Sequence, residues 1–287
     1  MTSVEIPDYR TNDYFGLEDR WLETAPGELT HYHEVGEGEP ILLLHGSGTG
    51  VSAAANWWLA LDDMSRYGRA IAIDSIGYGQ TVVAEGTAYG IRAWVDHSIR
   101  VLDALGIERT WIVGNSLGGW VALQLAIDHP ERVLGVVSMG TGGAKKTAAL
   151  AGHAAPTLTE EGVREGLKLF VVDETLITDE LVAVRYEAAV NDTANDRLVD
   201  VVTARDRDRE EFPLDFDALA RLEMPVLLVH GMQDRVIPVA RTWDLVRTIP
   251  NSDAHLFSNC GHWSQVEKAD EFNGVLAGWF AARGLGA

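Results

Sequence analysis

A serine framed by glycines, Gly114–Asn115–Ser116–Leu117–Gly118, follows the apolar run Trp111–Ile112–Val113 and opens a long apolar stretch that reads as a helix. No other feature constrains the chain as strongly. A G-x-S-x-G turn at a strand-to-helix junction lifts the hydroxyl onto a sharp elbow, so it needs a buried strand behind it and a helix in front. Two later segments extend the pattern. Asp234 follows the apolar run Val226–Val229, and His262 lies within Cys260–Gly261–His262–Trp263. A serine hydroxyl is a poor nucleophile until a base takes its proton. A histidine can be that base, with a buried carboxylate fixing its tautomer and stabilising its positive charge. The chain order serine, acid, histidine differs from that of chymotrypsin-like and subtilisin-like proteases. Ser116, Asp234 and His262 are therefore the candidate catalytic residues.

The rest of the chain supplies the frame this elbow needs. Ile41–Leu44, Ala70–Ile73, Trp111–Val113, Val133–Val137 and Val226–Val229 are short, unbroken apolar runs. Such runs suit parallel strands buried on both faces. Residues 29–35 alternate and read as an entry strand or hairpin. Residues 91–105 place Ile91, Trp94, Val95, Ile99, Leu102 and Leu105 on one helical face. The helix after the elbow runs over 117–128, and His129–Pro130 stops it. Strands alternating with helices imply an α/β protein with a mostly parallel sheet and helices on both faces.

The alternation stops after residue 142. Residues 143–212 show no strand pattern and read as a helical insertion, before the sheet resumes at Pro225. The expected division is a core of residues 1–142 and 213–287 with a helical cap at 143–212, placed to act as a lid. The run Arg205–Asp206–Arg207–Asp208–Arg209–Glu210–Glu211 reads as a solvated helix face or loop.

The loop His45–Gly46–Ser47–Gly48–Thr49–Gly50 follows the first apolar run. Its glycines let the backbone approach a substrate closely, and it is expected to supply one oxyanion-hole N–H from Ser47. The second comes from Leu117, the residue after the nucleophile. The spacing fits no nucleotide phosphate loop. His31 and His33 are two apart, but zinc needs at least three protein ligands and none lies nearby in sequence. They read as a solvent-facing strand, and no metal site is expected. Asp74 reads as a structural turn residue, and Cys260 as a small buried residue packing the histidine loop.

Charge narrows the partners. A net charge of -20 argues against nucleic acid and anionic membranes, which select basic patches. It leaves an anionic small molecule open, because fields decay over about 8 Å at physiological salt. The lone cysteine, Cys260, excludes an intrachain disulfide. No run of roughly 18 apolar residues could span a membrane, and the N-terminus lacks signal-peptide character. A cytoplasmic location is expected.

The motifs together resemble the meta-cleavage product hydrolases, carbon–carbon bond hydrolases with the α/β-hydrolase fold. The resemblance runs from about Ile41 to Phe280. It is sharpest in His45–Gly50 with Asn56 downstream, in Gly114–Gly119, and in the stretch from Cys260 to Asn273. Val51–Trp57 looks most like the branch acting on 2-hydroxymuconic semialdehyde. The segment Leu176–Glu187 resembles the cap helix that carries a substrate-binding arginine, here Arg185. The resemblance implies an anionic 2-hydroxy-6-oxohexa-2,4-dienoate as substrate. Arg185, Asn56, Asn115 and Trp263 would hold its carboxylate end, and no cofactor would be needed. It also implies a homo-oligomer, dimer or larger, although no stretch stands out as an interface. Thr49 stands where the family usually has proline, and Ala54 where tryptophan is common. Those positions and Lys145–Gly162, which resembles nothing in the family, bear on the C6 substituent. A carboxylesterase or lactonase with the same three catalytic residues is the alternative.

Overall fold

The computed structural model describes residues 15–143, 158–194 and 197–286. Among these, one sheet contains β1 (Arg20–Ala25), β2 (Glu28–Val35), β3 (Pro40–Leu44), β4 (Arg69–Ile73), β5 (Thr110–Asn115), β6 (Val133–Met139), β7 (Val226–Gly231) and β8 (Ser252–Phe257). The spatial order is β1-β2-β4-β3-β5-β6-β7-β8. β2 runs antiparallel to both β1 and β4, and every other neighbouring pair is parallel.

The helices that matter for the site are α1 (Ala53–Trp57), α2 (Ile91–Ala104), α3 (Leu117–Asp128), α4 (Glu160–Leu167), α5 (Asp179–Ala194), α6 (Arg197–Glu211), α7 (Ala240–Thr248) and α8 (Ala269–Ala281). This is the expected α/β-hydrolase architecture. Side chains along a strand alternate between faces, and here both faces are covered. Leu42, Leu44, Ile71 and Ile112 pack with Trp94 of α2 and Trp120 of α3. Ile41, Leu43, Val113 and Val229 pack on the other side with Phe272 and Phe280 of α8. Burial on both faces is why these strands read as unbroken apolar runs. Truncating one such leucine to alanine costs about 2–5 kcal/mol.

The topology makes the crevice. From β3 the chain crosses to β4 on one side, then returns to β5 on the other side of β3. Ligand sites in open α/β sheets lie at such a switch, outside the carboxyl ends of the strands. Leu44 pairs with Gly114, so the glycine loop after β3 and the elbow after β5 lie side by side. Between β6 and β7 the described part of the insertion is helical, with α4, α5 and α6 and no strand. Val163, Leu167, Leu181 and Val182 from α4 and α5 form a cluster with Ala54, Ala55, Trp263 and Val266. The insertion thus rests on the histidine loop. Residues 144–157, the first part of the insertion, lie outside the described residues. No helix among the described residues is long and apolar enough to cross a membrane.

Two expectations need correction. His31 and His33 are buried rather than solvent-facing, because the β1–β2 hairpin closes over them. The charge run at 205–211 is the last part of α6 and is solvated only in part: Arg207, Glu210 and Glu211 are exposed, whereas Arg205, Asp206 and Arg209 are half-buried. Asp208 is buried, and its Oδ2 accepts the Ile91 N–H at the start of α2 at 2.6 Å, where Gly90 offers no side-chain cap.

Candidate active site

Ser116 takes φ 54° and ψ −109°. A non-glycine residue in that region costs of order 1–3 kcal/mol and persists only where its surroundings hold it. Three backbone bonds hold it here. Ser116 N–H donates to Met139 O at 2.8 Å, while Ser116 O accepts from Gly142 N–H at 2.8 Å and Trp120 N–H at 3.1 Å. The flanking glycines leave no room for a side chain. A Cβ on Gly114 would lie 2.2 Å from Gly118 O, and one on Gly118 would lie 2.1 Å from Leu44 O.

Asp234 follows β7, and His262 follows β8. His262 Nδ1 and Asp234 Oδ2 are 2.7 Å apart, and His230 Nε2 lies 3.0 Å from the same oxygen. Asp234 Oδ1 accepts the N–H groups of Val236 and Ile237 at 2.7 and 2.9 Å. Burial pushes this carboxyl up, but His262 and His230 outweigh it and hold it well below the usual carboxylate range. An ionised acceptor on Nδ1 makes that nitrogen the donor and leaves Nε2 able to take up a proton. The turn at 139–142 spaces serine and histidine. Met139 and Gly142 hold the Ser116 backbone, and a Cβ on Gly140 would lie 2.9 Å from the His262 ring. Ser116 Oγ and His262 Nε2 have no hydrogen-bond partner among the described residues. Such catalytic bonds are often long in free enzymes and tighten with substrate.

The N–H groups of Ser47 and Leu117 also lack an acceptor among the described residues. Leu117 opens α3, where first-turn donors have no intrahelical partner. Asn56 on α1 accepts the Gly46 N–H at 3.4 Å, and Asn115 Oδ1 would lie 3.0 Å from a Cβ on Gly46. Both asparagines are buried, and neither Nδ2 has a partner among the described residues. Leaving a buried donor unpaired costs about 1–3 kcal/mol, so each amide has a donor to offer a bound acceptor. Arg185, on α5, is buried with its guanidinium 5.3 Å from the Trp263 ring centroid. Its Nη2 would lie 3.7 Å from a Cβ on Gly48. Trp263 and His262 both lie against Phe170.

The model of the alpha/beta hydrolase fold matches residues 39–269. The chain is 36% identical to the 2-hydroxymuconate semialdehyde hydrolase of Pseudomonas sp. (strain CF600), over 90% of this chain and 92% of that one. It is 34% identical to the 2-hydroxy-6-oxo-6-phenylhexa-2,4-dienoate hydrolase of Comamonas testosteroni, over 94% and 96% of the two chains. The solved meta-cleavage product hydrolase of Pseudomonas fluorescens IP01 superposes with a TM-score of 0.84 at 36% identity, covering 93% of this chain and 98% of that one. The chain belongs to the meta-cleavage product hydrolases.

Two residues of this meta-cleavage product hydrolase reach the site without having stood out in the sequence. Glu267 accepts the N–H groups of Val172 and Asp173 from the insertion at 2.5 and 3.0 Å, and that of Gly261 beside His262. One carboxylate therefore ties the insertion to the histidine loop. Its only signal was its place in the turn after the histidine. Arg205 donates to Ser47 Oγ at 3.1 Å, and nothing in its charge run distinguishes it from a solvated residue. Cys260 is buried, and burial with Glu267 nearby pushes its thiol far up, which fits a packing role.

The structure also supplies the third residue that was absent near His31 and His33. Asp19, His31 and His33 each have a ligand-type atom within 4.8 Å of the others. Within that arrangement both histidines are held by protein hydrogen bonds. His31 bonds through Nδ1 to Asp74 at 2.7 Å and through Nε2 to Asp19 at 3.0 Å, while His33 Nδ1 donates to Glu18 O at 2.9 Å. Burial favours neutral His31, but the two carboxylates outweigh it and raise its pKa to about 9. His31 is an imidazolium at neutral pH.

Proposed function

We propose that this chain is a serine-dependent hydrolase of a 2-hydroxy-6-oxohexa-2,4-dienoate, breaking its C5–C6 bond to give 2-hydroxypenta-2,4-dienoate and a carboxylic acid. The observation that carries this reading is a buried arginine, Arg185, beside a serine elbow equipped with an Asp234–His262 pair. A buried guanidinium held over Trp263 and against the glycine loop presents a planar fork suited to a carboxylate. A simple neutral ester gives it nothing to bind, whereas the C1 carboxylate and 2-oxo group of a dienoate match its fork.

The chemistry then follows from charge. The 2-enol proton moves to C5, giving a ketone at C2 that can accept electrons later. His262 Nε2 takes the Ser116 proton as Oγ attacks C6. The N–H groups of Ser47 and Leu117 receive the oxyanion. The C5–C6 bond breaks, its electron pair passes into the dienolate, and a proton from His262 completes the dienol product. Water, deprotonated by His262, hydrolyses the acyl-serine. Asn56, Asn115 and Trp263 line the carboxylate end with Arg185. Every step draws on protein groups and water.

The helices of residues 143–212 serve as the cap in this account. Cys260, a lone buried thiol, suits a reducing compartment such as the cytoplasm. A homo-oligomer is the expected assembly, which sedimentation would read.

Arg185→Ala tests the reading. Turnover of the dienoate should fall by 10²-fold or more, at about 1.36 kcal/mol per tenfold, while cleavage of a neutral nitrophenyl ester stays within a few-fold. Equal losses on both substrates would remove the carboxylate role and favour the esterase or lactonase alternative.

A further inference from the structure

One contact joins the insertion directly to the proposed oxyanion loop. Arg205, midway along α6, donates from Nη1 to Ser47 Oγ at 3.1 Å across 158 residues of sequence. Its guanidinium is oriented from behind. Nε and Nη2 both donate to Asp206 Oδ1, at 3.2 and 3.1 Å. The same oxygen accepts Arg209 Nη1 at 3.0 Å. The side chains of Arg205 and Arg209 are only 14% and 10% exposed. Two arginines at i and i+4 repel one another, so turning both inward is unfavourable unless Asp206 and the core side of the crevice offset it. Arg185 approaches the same loop elsewhere, against Gly48 and Gly50. The two arginines therefore meet different parts of one loop.

We infer that Arg205 is a positioning residue for the oxyanion hole: it fixes Ser47 from the insertion, so that the Ser47 N–H and a nearby positive charge face the oxyanion formed at C6. This rests on the oxyanion role given to Ser47 above. The physical reason is preorganisation. A donor aimed in advance at developing charge needs no reorganisation during the reaction, and Ser47 lies in a loop with glycine on both sides, which has little stiffness of its own. Arg205 acts on charge that appears with any acyl substrate. Arg185 acts on a carboxylate that only the dienoate carries. The two roles therefore separate by substrate.

The test is a set of steady-state assays on Arg205→Met, Ser47→Ala and the double variant, each with a dienoate and with a neutral nitrophenyl ester. Arg205→Met should lower kcat on both substrates by about tenfold, less than the 10²–10³-fold typical of deleting an oxyanion-hole donor outright, with KM little changed. Ser47→Ala keeps the N–H and removes Oγ, so it should give a similar loss. The double variant should lose no more than either single, because both remove one interaction. If Arg205→Met does not fold, Arg205→Lys carries the test. It should lower kcat severalfold on both substrates, and that loss should vanish in the Ser47→Ala background. A loss confined to the dienoate, a loss appearing in KM, independent losses that multiply, or no loss overturns the inference. The ester arm keeps it separate from the proposed function. Wild-type protein that cleaves only the ester would end the carbon–carbon reading and leave the Arg205 test intact.

Discussion

Two aspartate–histidine pairs stand in this sheet with the same 2.7 Å bond, Asp234 with His262 and Asp74 with His31. Both carboxylates are deeply buried, and each also accepts two backbone N–H groups, Val236 and Ile237 for Asp234, Ala53 and Gln80 for Asp74. Both are held below the usual carboxylate range by their histidines, against the opposing effect of burial. The difference lies at the far nitrogen. His31 Nε2 meets Asp19 at 3.0 Å, so the ring is clamped at both ends and keeps its second proton. His262 Nε2 has no partner among the described residues. An Asp–His bond alone therefore does not make a base. A base needs a second nitrogen left open on the substrate side. Asp74 instead serves architecture, binding β2, the start of α1 and the turn at Gln80.

Four measurements would break or sharpen this comparison. The largest effect is expected for Asp234→Asn, which should lower kcat by roughly 10⁴-fold by allowing the wrong histidine tautomer. Ester hydrolysis by purified protein reads it directly, and a loss below tenfold would remove Asp234 from catalysis. Asp74→Ala should do the reverse. Removing one partner of a buried ion pair costs about 3–5 kcal/mol, visible in urea unfolding, while kcat per folded molecule should stay within about tenfold, or 1.36 kcal/mol. A larger catalytic than structural effect would show that the two pairs are not separate in function.

The third concerns pH. His31 is raised in the folded state from 6.5 to about 9, so the folded protein binds the proton more tightly than the unfolded chain. Its contribution to stability is complete below 6.5 and is lost as pH rises through about 9. Thermal melts between pH 6 and 10 should show this loss in the wild type and lack it in His31→Gln. A parallel slope in both proteins would assign the dependence to other groups. The smallest effect is expected at Cys260. Its raised thiol should leave a disulfide exchange reagent almost unreacted in the native protein, with one thiol per chain released on denaturation. Rapid native labelling would mean that the histidine loop carries a second reactive group.

Legibility in the sequence followed burial. The central strands were visible because both faces are covered, which makes Ile41–Leu44 and Val226–Val229 continuous apolar runs. Helix α3 was bounded at Leu117 and Asp128 by the elbow before it and His129–Pro130 after it. Strand β8 was not visible. It pairs only with β7, and its Ser252–Asp253–Ala254–His255 segment stays partly exposed and polar. Ser116, Asp234 and His262 stood out because each sits in a glycine-marked or strand-end segment. Asp19 did not, because it reaches His31 only through the fold of the β1–β2 hairpin. Arg205 and Asp208 were hidden for a similar reason: a charged helix face looks alike in sequence whether it meets water or the core.

The central claim is that Ser116 breaks a carbon–carbon bond. The most direct measurement mixes the protein with 2-hydroxymuconic semialdehyde and its 6-methyl and 6-phenyl ketone analogues, and follows the loss of the yellow dienolate beside Ser116→Ala. The account predicts rapid bleaching with at least one of them, with a carboxylic acid and 2-hydroxypenta-2,4-dienoate as products, and no acid formed by the variant. Intact dienolate in every case, together with Ser116-dependent ester cleavage, would contradict it.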